Sequence, residues 1–249
     1  IVCLIFTDHF ELDKFHILMR KFLKIILGLS ILSASISSCG NKSKDVSSDG
    51  YDKIQIQYKS EYSLSSGLNY LRDIEPINSD GTVNVVVEIP TGTNEKWEVS
   101  KETGDIEWEF KKGKPRIVKF LGYPTNYGMI PRTLLSKDKG GDGDPLDVIL
   151  IGSYIPRGNI VSGKVIGVLK MLDGGEIDDK LLMIQKDSPL YKANSVEELK
   201  EEFPGALSII EKWFESYKGP GEIKTNGYGS VFEAENVLNQ AILDFETYN

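Results

Sequence analysis

Three aspartates lie within six residues of one another, directly before a short apolar segment. Asp142, Asp144 and Asp147 share a stretch with two glycines and a proline, and residues 148–151 are Val-Ile-Leu-Ile. Carboxylates at this spacing repel one another unless a cation lies among them, and their hard oxygen atoms suit Mg²⁺, Mn²⁺ or Ca²⁺ better than a thiol-seeking metal. The apolar segment is typical of a buried strand. The sequence therefore predicts a divalent-cation site where a tight turn enters a rigid strand.

Two other interpretations of this acidic turn compete with that prediction. A solvated surface turn is the plainest reading of any single Asp-Gly-Asp sequence. An EF-hand loop needs oxygen ligands at its first, third and fifth positions, a glycine at the sixth and a glutamate at the twelfth. Counting from Asp142 places Leu146 fifth and Asp147 sixth, and counting from Asp138 places Gly140 third. Neither register supplies the ligands, so an EF-hand is excluded.

Charge and cysteine content narrow the class of protein. The 249-residue chain carries a formal net charge of −8, which argues against a nucleic-acid binder that relies on neutralising phosphates. Any phosphate ligand must therefore be bound by local basic groups and metal. Both cysteines, Cys3 and Cys39, lie in the N-terminal segment. The predicted folded region thus has no disulfide framework, structural zinc site or thiol nucleophile.

The N-terminal segment has the features of a bacterial targeting sequence. Met19 opens a basic stretch that is typical of a translation start. Residues 25–36 are apolar or small, and these 12 positions are too few to span a bilayer but suit a signal peptide. The Ser-Ser-Cys that ends at Cys39 resembles a lipoprotein processing site. The predicted divisions are upstream read-through at 1–18, a signal peptide at 19–38, a lipidated cysteine and tether at 39–70, and the functional domain at 71–249.

The rest of the chain predicts a mainly β fold with flanking helices, of the α+β class. Short β-branched segments alternate with Gly, Pro and Asp turns, which is typical of a barrel. Ser195 and Glu198 form a capping box that predicts a short helix, and Ser230 with Glu233 predicts a last helix. An apolar stripe at 237–245 is predicted to pack this last helix on the barrel. The predicted strands are 83–89, 96–99, 106–110, 148–151, 160–170 and 181–185, and the middle helix is 206–217.

A second acidic turn and a set of basic and phenolic side chains extend the candidate site. Asp173, Asp178 and Lys180 lie together between two predicted strands. Each remaining candidate, taken alone, is typical of a surface charge or a core tyrosine. Together with carboxylates for several metal ions, they indicate a site for a highly charged phosphate compound. These candidates are Lys96, Arg116, Tyr123, Tyr127, Tyr217 and Lys218.

The order of these motifs resembles the soluble family I inorganic pyrophosphatases. Residues 142–147 are similar to that family's Asp-x-Asp-Pro-apolar-Asp signature, and the resemblance extends from about residue 83 to residue 217. It implies a five-stranded, OB-like closed barrel with flanking helices. It also implies hydrolysis of pyrophosphate to two phosphates with several Mg²⁺ ions, for which Mn²⁺ is an expected substitute, and a homo-oligomer.

The resemblance implies a role for each candidate residue. Asp147, shared by two metal ions, would help to activate a water molecule, and Asp144 would accept the proton of that water. Glu88 and Glu98 would order water molecules and basic side chains. The implied catalytic residues are Asp144, Glu88 and Glu98; the substrate-binding residues are Lys96, Arg116 in a longer loop at 112–116, Tyr123, Tyr127, Lys180, Tyr217 and Lys218; the metal ligands are Asp142, Asp147, Asp173 and Asp178.

Two other functions and two locations stay open at this point. A non-catalytic lipoprotein that binds divalent metals or phosphate would keep the acidic residues but has no need of Asp144 together with the Lys, Arg and Tyr set. A metal-dependent nucleotide phosphohydrolase would need an apolar or aromatic slot for the base, for which the sequence gives no signal. Processing at Cys39 predicts a membrane-anchored lipoprotein of the bacterial cell envelope. The resembled family is typically cytosolic, so a leader without function predicts a cytoplasmic location.

Overall fold

The computed structural model describes residues 54–248 of the chain. Within these limits the protein is mostly β with three α-helices, as predicted. No helix in this range is long and apolar enough to cross a bilayer. The predicted divisions at 1–18 and 19–38, and Cys39, lie outside the described residues. The strands are β1 (Gln57–Ser60), β2 (Ser63–Ser65), β3 (Val83–Ile89), β4 (Trp97–Val99), β5 (Ile106–Trp108), β6 (Phe110–Lys111), β7 (Lys114–Pro115), β8 (Asn126–Met129), β9 (Asp147–Ile151), β10 (Ile160–Asp173), β11 (Glu176–Ile177), β12 (Lys180–Gln185) and β13 (Ile223–Gly229), and the helices are α1 (Val196–Glu202), α2 (Ala206–Ser216) and α3 (Val231–Tyr248).

The larger sheet contains five strands that pair with one another in a cycle, so that each has two neighbours within the cycle. Strand β3 pairs antiparallel with β8 and β10, β8 pairs antiparallel with β9, β10 pairs antiparallel with β12, and β12 runs parallel to β9. Strands β3, β9 and β12 are rich in Val, Ile and Leu because they are buried on both faces, and β3 is buried at every position. Strands β11 and β13 both pair with β10, toward its C-terminal end.

The predicted strands of this sheet are confirmed, and three of them are longer than predicted. Strand β9 begins at Asp147, β12 begins at Lys180, and β10 continues to Asp173. Polar residues at strand ends carry no apolar signal, so the pattern stopped short of them. Each extension adds one candidate site residue to a strand. The strand ends of this sheet therefore position these three residues.

A smaller sheet is formed partly by residues predicted to be a tether. Its strand order is β1, β2, β5, β4, so the folded part of the chain begins before the predicted boundary at residue 71. Strand β1 is exposed at all four positions, and Leu64 is a buried apolar anchor of β2. Tyr70 is fully buried and donates a hydrogen bond from its hydroxyl to Gly158 O at 2.8 Å. Strands β1 and β2 are short and mostly polar, so they gave no periodic signal in the sequence.

The predicted strand 106–110 ends at Trp108, and the expected longer loop at 112–116 is instead part of a tight hairpin. Strands β6 and β7 pair antiparallel around Lys112 and Gly113, whose φ angles are 54° and 73°. Two consecutive positive φ angles define the turn type that matches the twist of a two-residue hairpin, and glycine adopts this conformation without strain. The hairpin projects Arg116 at the end of β7.

The helices begin where the capping boxes predicted. Ser195 Oγ accepts a hydrogen bond from Glu198 N at 3.1 Å, and Ser230 Oγ accepts one from Glu233 N at 3.3 Å. The Glu233 carboxylate completes its box by accepting from Ser230 N at 2.8 Å, whereas the Glu198 carboxylate reaches back one residue further, to Asn194 N. The apolar stripe of α3 packs on the sheet as predicted, through Leu238 and Ala241 among others.

Candidate active site

A polar cavity lies between the large sheet and the small sheet. Its volume is about 620 Å³. Strands β3 and β9 supply Glu88 and Asp147 on one side, and strands β4 and β5 supply Glu98 and Glu107 on the other. Five of the predicted site residues line this cavity, namely Glu88, Lys96, Glu98, Asp144 and Asp147.

The first acidic turn is shaped by hydrogen bonds to its own backbone. Asp144 N donates to Asp142 Oδ1 at 2.8 Å, and Gly143 has a φ of 83°, which favours glycine. A Cβ on Gly141 would lie 2.7 Å from the backbone of Leu135, so that position also requires glycine. Burial raises the pKa of Asp142 above its ordinary value. The turn thus presents two closely spaced carboxylates without strain.

Lys101 is a contact of this turn that the sequence did not reveal. Its ammonium group forms an ion pair with Asp144 and donates a hydrogen bond to Gly143 O at 2.8 Å. Lys101 follows β4, 42 residues before the acidic turn. No local pattern could connect the two, because the small sheet brings them together.

Lys180 joins the two acidic turns. Strands β9 and β12 are parallel neighbours with Val148 opposite Leu181, so Asp147 and Lys180 lie side by side at their ends. The Lys180 ammonium is 2.6 Å from Asp147 Oδ2 and also pairs with Asp178. Burial alone would lower the pKa of this lysine, but the two carboxylates outweigh it and raise the pKa. Burial raises the pKa of Asp178 to about 6 against the opposing effect of Lys180.

Asp173, at the end of β10, pairs with Lys218, which follows α2. Tyr217 ends α2 and stacks on Trp213, with ring centroids 4.8 Å apart and planes 10° from parallel. Burial raises the pKa of the Tyr217 phenol well above its ordinary range, so the group is a neutral donor near neutral pH. The predicted Tyr217 and Lys218 pair therefore reaches the second acidic turn.

Glu88 and Lys96 form the floor of the cavity. Glu88 is 4% exposed and accepts a hydrogen bond from Val99 N at 2.7 Å. Burial raises its pKa to about 8, against the opposing charge of Lys96. Burial would lower the pKa of Lys96, but Tyr123, Glu88 and other acidic neighbours raise it, so the ammonium group stays charged. The Lys96 ammonium lies 3.6 Å from Glu98, whose side chain is half exposed.

Arg116 is held by a partner that the sequence did not predict. Its guanidinium lies 2.5 Å from Glu109, and its carbonyl oxygen accepts a hydrogen bond from Trp108 Nε1 at 2.9 Å. The cavity lining includes Glu109 and Trp108. The hairpin of β6 and β7 brings Glu109 and Arg116 together although seven residues separate them.

The two predicted tyrosines are buried side by side. Their ring centroids are 5.3 Å apart, and Tyr123 also packs 4.3 Å from the Trp213 ring. The Tyr127 ring lies 5.7 Å from the Lys96 ammonium, and the nearby charge of Asp147 adds to the effect of burial on the pKa of its phenol. Burial raises the pKa of both phenols. Tyr127 thus reaches the acidic residues, whereas Tyr123 packs mainly in the aromatic core beside them.

Four of the acidic residues, Asp144, Asp147, Asp173 and Asp178, form ion pairs with lysines in this structure. Among residues 54–248, no three His, Cys, Asp or Glu side chains are close enough together to hold one metal ion. Lys101, Lys180 and Lys218 instead pair with the carboxylates. The donor chemistry still fits hard divalent cations, because Asp142, Asp147, Asp173 and Asp178 supply oxygen ligands and nitrogen or sulfur ligands are absent from this set.

A site that combines acidic turns with Lys, Arg and Tyr donors defines a class of proteins that handle phosphate compounds with divalent cations. Comparison with known proteins gives the family. The model of the inorganic pyrophosphatase family matches residues 85–246. The chain belongs to the inorganic pyrophosphatase family.

Similar proteins come from several kingdoms. An inorganic pyrophosphatase of Kluyveromyces lactis is 38% identical over 173 residues, covering 64% of this chain and 60% of the relative, and one of Drosophila melanogaster is 37% identical over 175 residues, covering 64% and 52%. The chain thus spans about half to three fifths of the length of these relatives. The crystal structure of a type I inorganic pyrophosphatase from Toxoplasma gondii has a TM-score of 0.70 and 31% identity, covering 75% of this chain and 93% of that one.

Proposed function

We propose that this protein is an inorganic diphosphatase, which hydrolyses pyrophosphate to two phosphates with Mg²⁺ as its cofactor and Mn²⁺ as a substitute. Membership of the family supports this proposal, and so do the acidic and basic side chains that line the cavity and the Lys180 ion pairs that connect Asp147 of this lining to Asp178. The observation that carries it is the buried Lys180 ammonium between Asp147 and Asp178. One lysine cannot balance the charge of two carboxylates. The site therefore has excess negative charge that a bound divalent cation would neutralise.

The acidic residues would have two roles. Asp142, Asp147, Asp173 and Asp178 are the proposed metal ligands. Bound Mg²⁺ would supply Lewis-acid polarisation of phosphoryl oxygens and would lower the pKa of water. Asp144 is the proposed general base, which accepts the proton of the attacking water molecule. Its present partner, Lys101, is half exposed and can leave the carboxylate at little cost.

The basic and phenolic groups would bind the substrate. Lys180 and Lys218, which now pair with the carboxylates, would be available to phosphoryl oxygens when those carboxylates hold metal. Lys96, Arg116, Tyr123, Tyr127 and Tyr217 complete the proposed set. Their donors would stabilise the charge that builds up during in-line displacement. Glu88 and Glu98 would orient Lys96 and ordered water. No covalent intermediate forms, so no nucleophilic side chain is needed.

We also propose the finer architecture that the resemblance implies. The cycle of pairings among β3, β8, β9, β12 and β10 supports a five-stranded, OB-like closed barrel. The proposed homo-oligomer rests on the family alone. The proposed membrane anchor at Cys39 rests on the N-terminal sequence alone.

The substrate is tested by comparing phosphate release from pyrophosphate and from ATP, each with Mg²⁺. The proposal predicts rapid release from pyrophosphate and little from ATP, because most of the residues that line the cavity carry a charge and suit a compact, highly charged anion. Preference for ATP would favour a nucleotide phosphohydrolase. Binding of Mg²⁺ and phosphate without turnover of either substrate would favour a non-catalytic binding protein.

A further inference from the structure

The last helix carries a buried carboxylate that the proposed chemistry does not use. Asp244 is 5% exposed and lies near the C-terminal end of α3, where a negative charge opposes the helix dipole. A buried carboxylate in this position requires partners. Its Oδ1 atom accepts hydrogen bonds from Gln240 Nε2 at 2.8 Å and from Lys139 Nζ at 2.5 Å. Gln240 lies on the same helix, but Lys139 does not.

Lys139 belongs to residues 134–144, which lead into the first acidic turn and are called here the entry segment. Two more contacts join the entry segment to α3. Leu134 N donates to Ala241 O at 2.9 Å, and the Tyr248 hydroxyl bonds with Asp138 Oδ2 at 3.0 Å. The helix therefore contacts the entry segment both through the buried Asp244 and through the exposed Tyr248.

Hydrogen bonds within the entry segment transmit this attachment to the acidic turn. Leu135 N donates to Asp144 O, and Gly143 N donates to Leu135 O, both at 2.8 Å. Gly140 O accepts from Ile177 N at 3.1 Å, which connects the same segment to the second acidic turn. Glycines at 140, 141 and 143 leave this segment many alternative conformations when it is not held.

We propose that Asp244 is a positioning residue for metal binding. Through Lys139 it would hold the entry segment in the conformation that presents Asp142 and Asp144, although it touches neither metal nor substrate. This inference rests on the proposed function to the extent that the acidic turns bind Mg²⁺. It predicts that loosening the attachment weakens Mg²⁺ binding more than it slows turnover at saturating Mg²⁺.

Calorimetric titration of Mg²⁺ into the substrate-free protein tests the proposal. Lys139→Met removes the ammonium group but keeps an unbranched side chain, and Asp244 retains its bond from Gln240. We expect the Kd for Mg²⁺ to rise about fivefold, with kcat at saturating Mg²⁺ nearly unchanged. Lys170→Met is the matched control, because it breaks the ion pair with Glu233 at the other end of the same helix.

The outcomes separate positioning from general destabilisation. An unchanged Kd in Lys139→Met would overturn the proposal, and so would an equal rise in Lys170→Met. If Asp244 acts through Lys139, adding Asp244→Asn to Lys139→Met should weaken Mg²⁺ binding little further. Additive effects would contradict that coupling. If the parent protein binds Mg²⁺ but does not hydrolyse pyrophosphate, the proposed function is refuted. The Kd values of Lys139→Met and Lys170→Met would still test the positioning role of Asp244.

Discussion

Burial of Glu88 links the stability of the fold to pH. Its pKa in the folded protein is raised to about 8 by burial, from an ordinary value of 4.5. The folded state therefore binds this proton more tightly than the unfolded state does. The resulting stabilisation is fully present below the unfolded pKa and is lost as the pH rises through the folded pKa. Metal-free protein should accordingly become less stable between pH 4.5 and pH 8.

The size of the effect follows from the two pKa values. Each tenfold difference in proton affinity corresponds to about 1.4 kcal/mol, so the free energy of unfolding should fall by up to about 5 kcal/mol across this range. Glu88→Gln retains an acceptor for Val99 N but has no titratable proton. The variant should lose this part of the pH dependence. Asp178, whose pKa burial raises to about 6, contributes with the same sign at lower pH in both proteins.

Urea unfolding of both proteins, followed by tryptophan fluorescence in EDTA at several pH values, measures the difference. Glu201→Gln is the control, because Glu201 is an exposed glutamate on α1. We expect the stability difference between Glu88→Gln and the parent to change with pH, while the control follows the parent. Parallel curves for all three proteins would refute the argument that Glu88 is buried as a neutral acid.

Three further predictions concern catalysis and location. Asp144→Asn should lower turnover about 100-fold or more with Mg²⁺ affinity largely kept, whereas Asp147→Asn should also weaken Mg²⁺ binding; equal loss of Mg²⁺ affinity in both would remove the general-base role. Arg116→Lys should raise the KM for pyrophosphate clearly, because lysine lacks the planar, bidentate guanidinium group that pairs with Glu109 in this structure. Unchanged kinetics would mean that Arg116 does not bind the substrate. In cells that express the chain from Met19, Cys39→Ala should move activity from the membrane fraction to the soluble fraction, and soluble activity in both would refute the anchor.

The candidate site was predictable where its signal is local. Asp142, Asp144 and Asp147 lie within six residues of one another, so their spacing alone indicated cation chemistry. The strand predictions 83–89 and 148–151 held because strands buried on both faces are rich in apolar, β-branched residues. Local patterns of this kind predicted the elements but not which residues meet across them.

Contacts across the fold were beyond a single sequence. The pairing of Lys180 with Asp147 depends on β9 and β12 being parallel neighbours, and the pairing of Lys101 with Asp144 depends on the small sheet. Strand β1 was missed because all of its residues are exposed and lack an apolar face. The burial of Asp244 was not predictable, because the Lys139 that compensates its charge comes from a distant part of the chain.

The most direct test of the account is phosphate release from pyrophosphate by the purified protein, with Mg²⁺ and with EDTA. We expect two phosphates for each pyrophosphate consumed in Mg²⁺, none in EDTA, and almost none from Asp144→Asn in Mg²⁺. Equal release by the parent and Asp144→Asn, or release that persists in EDTA, would contradict it.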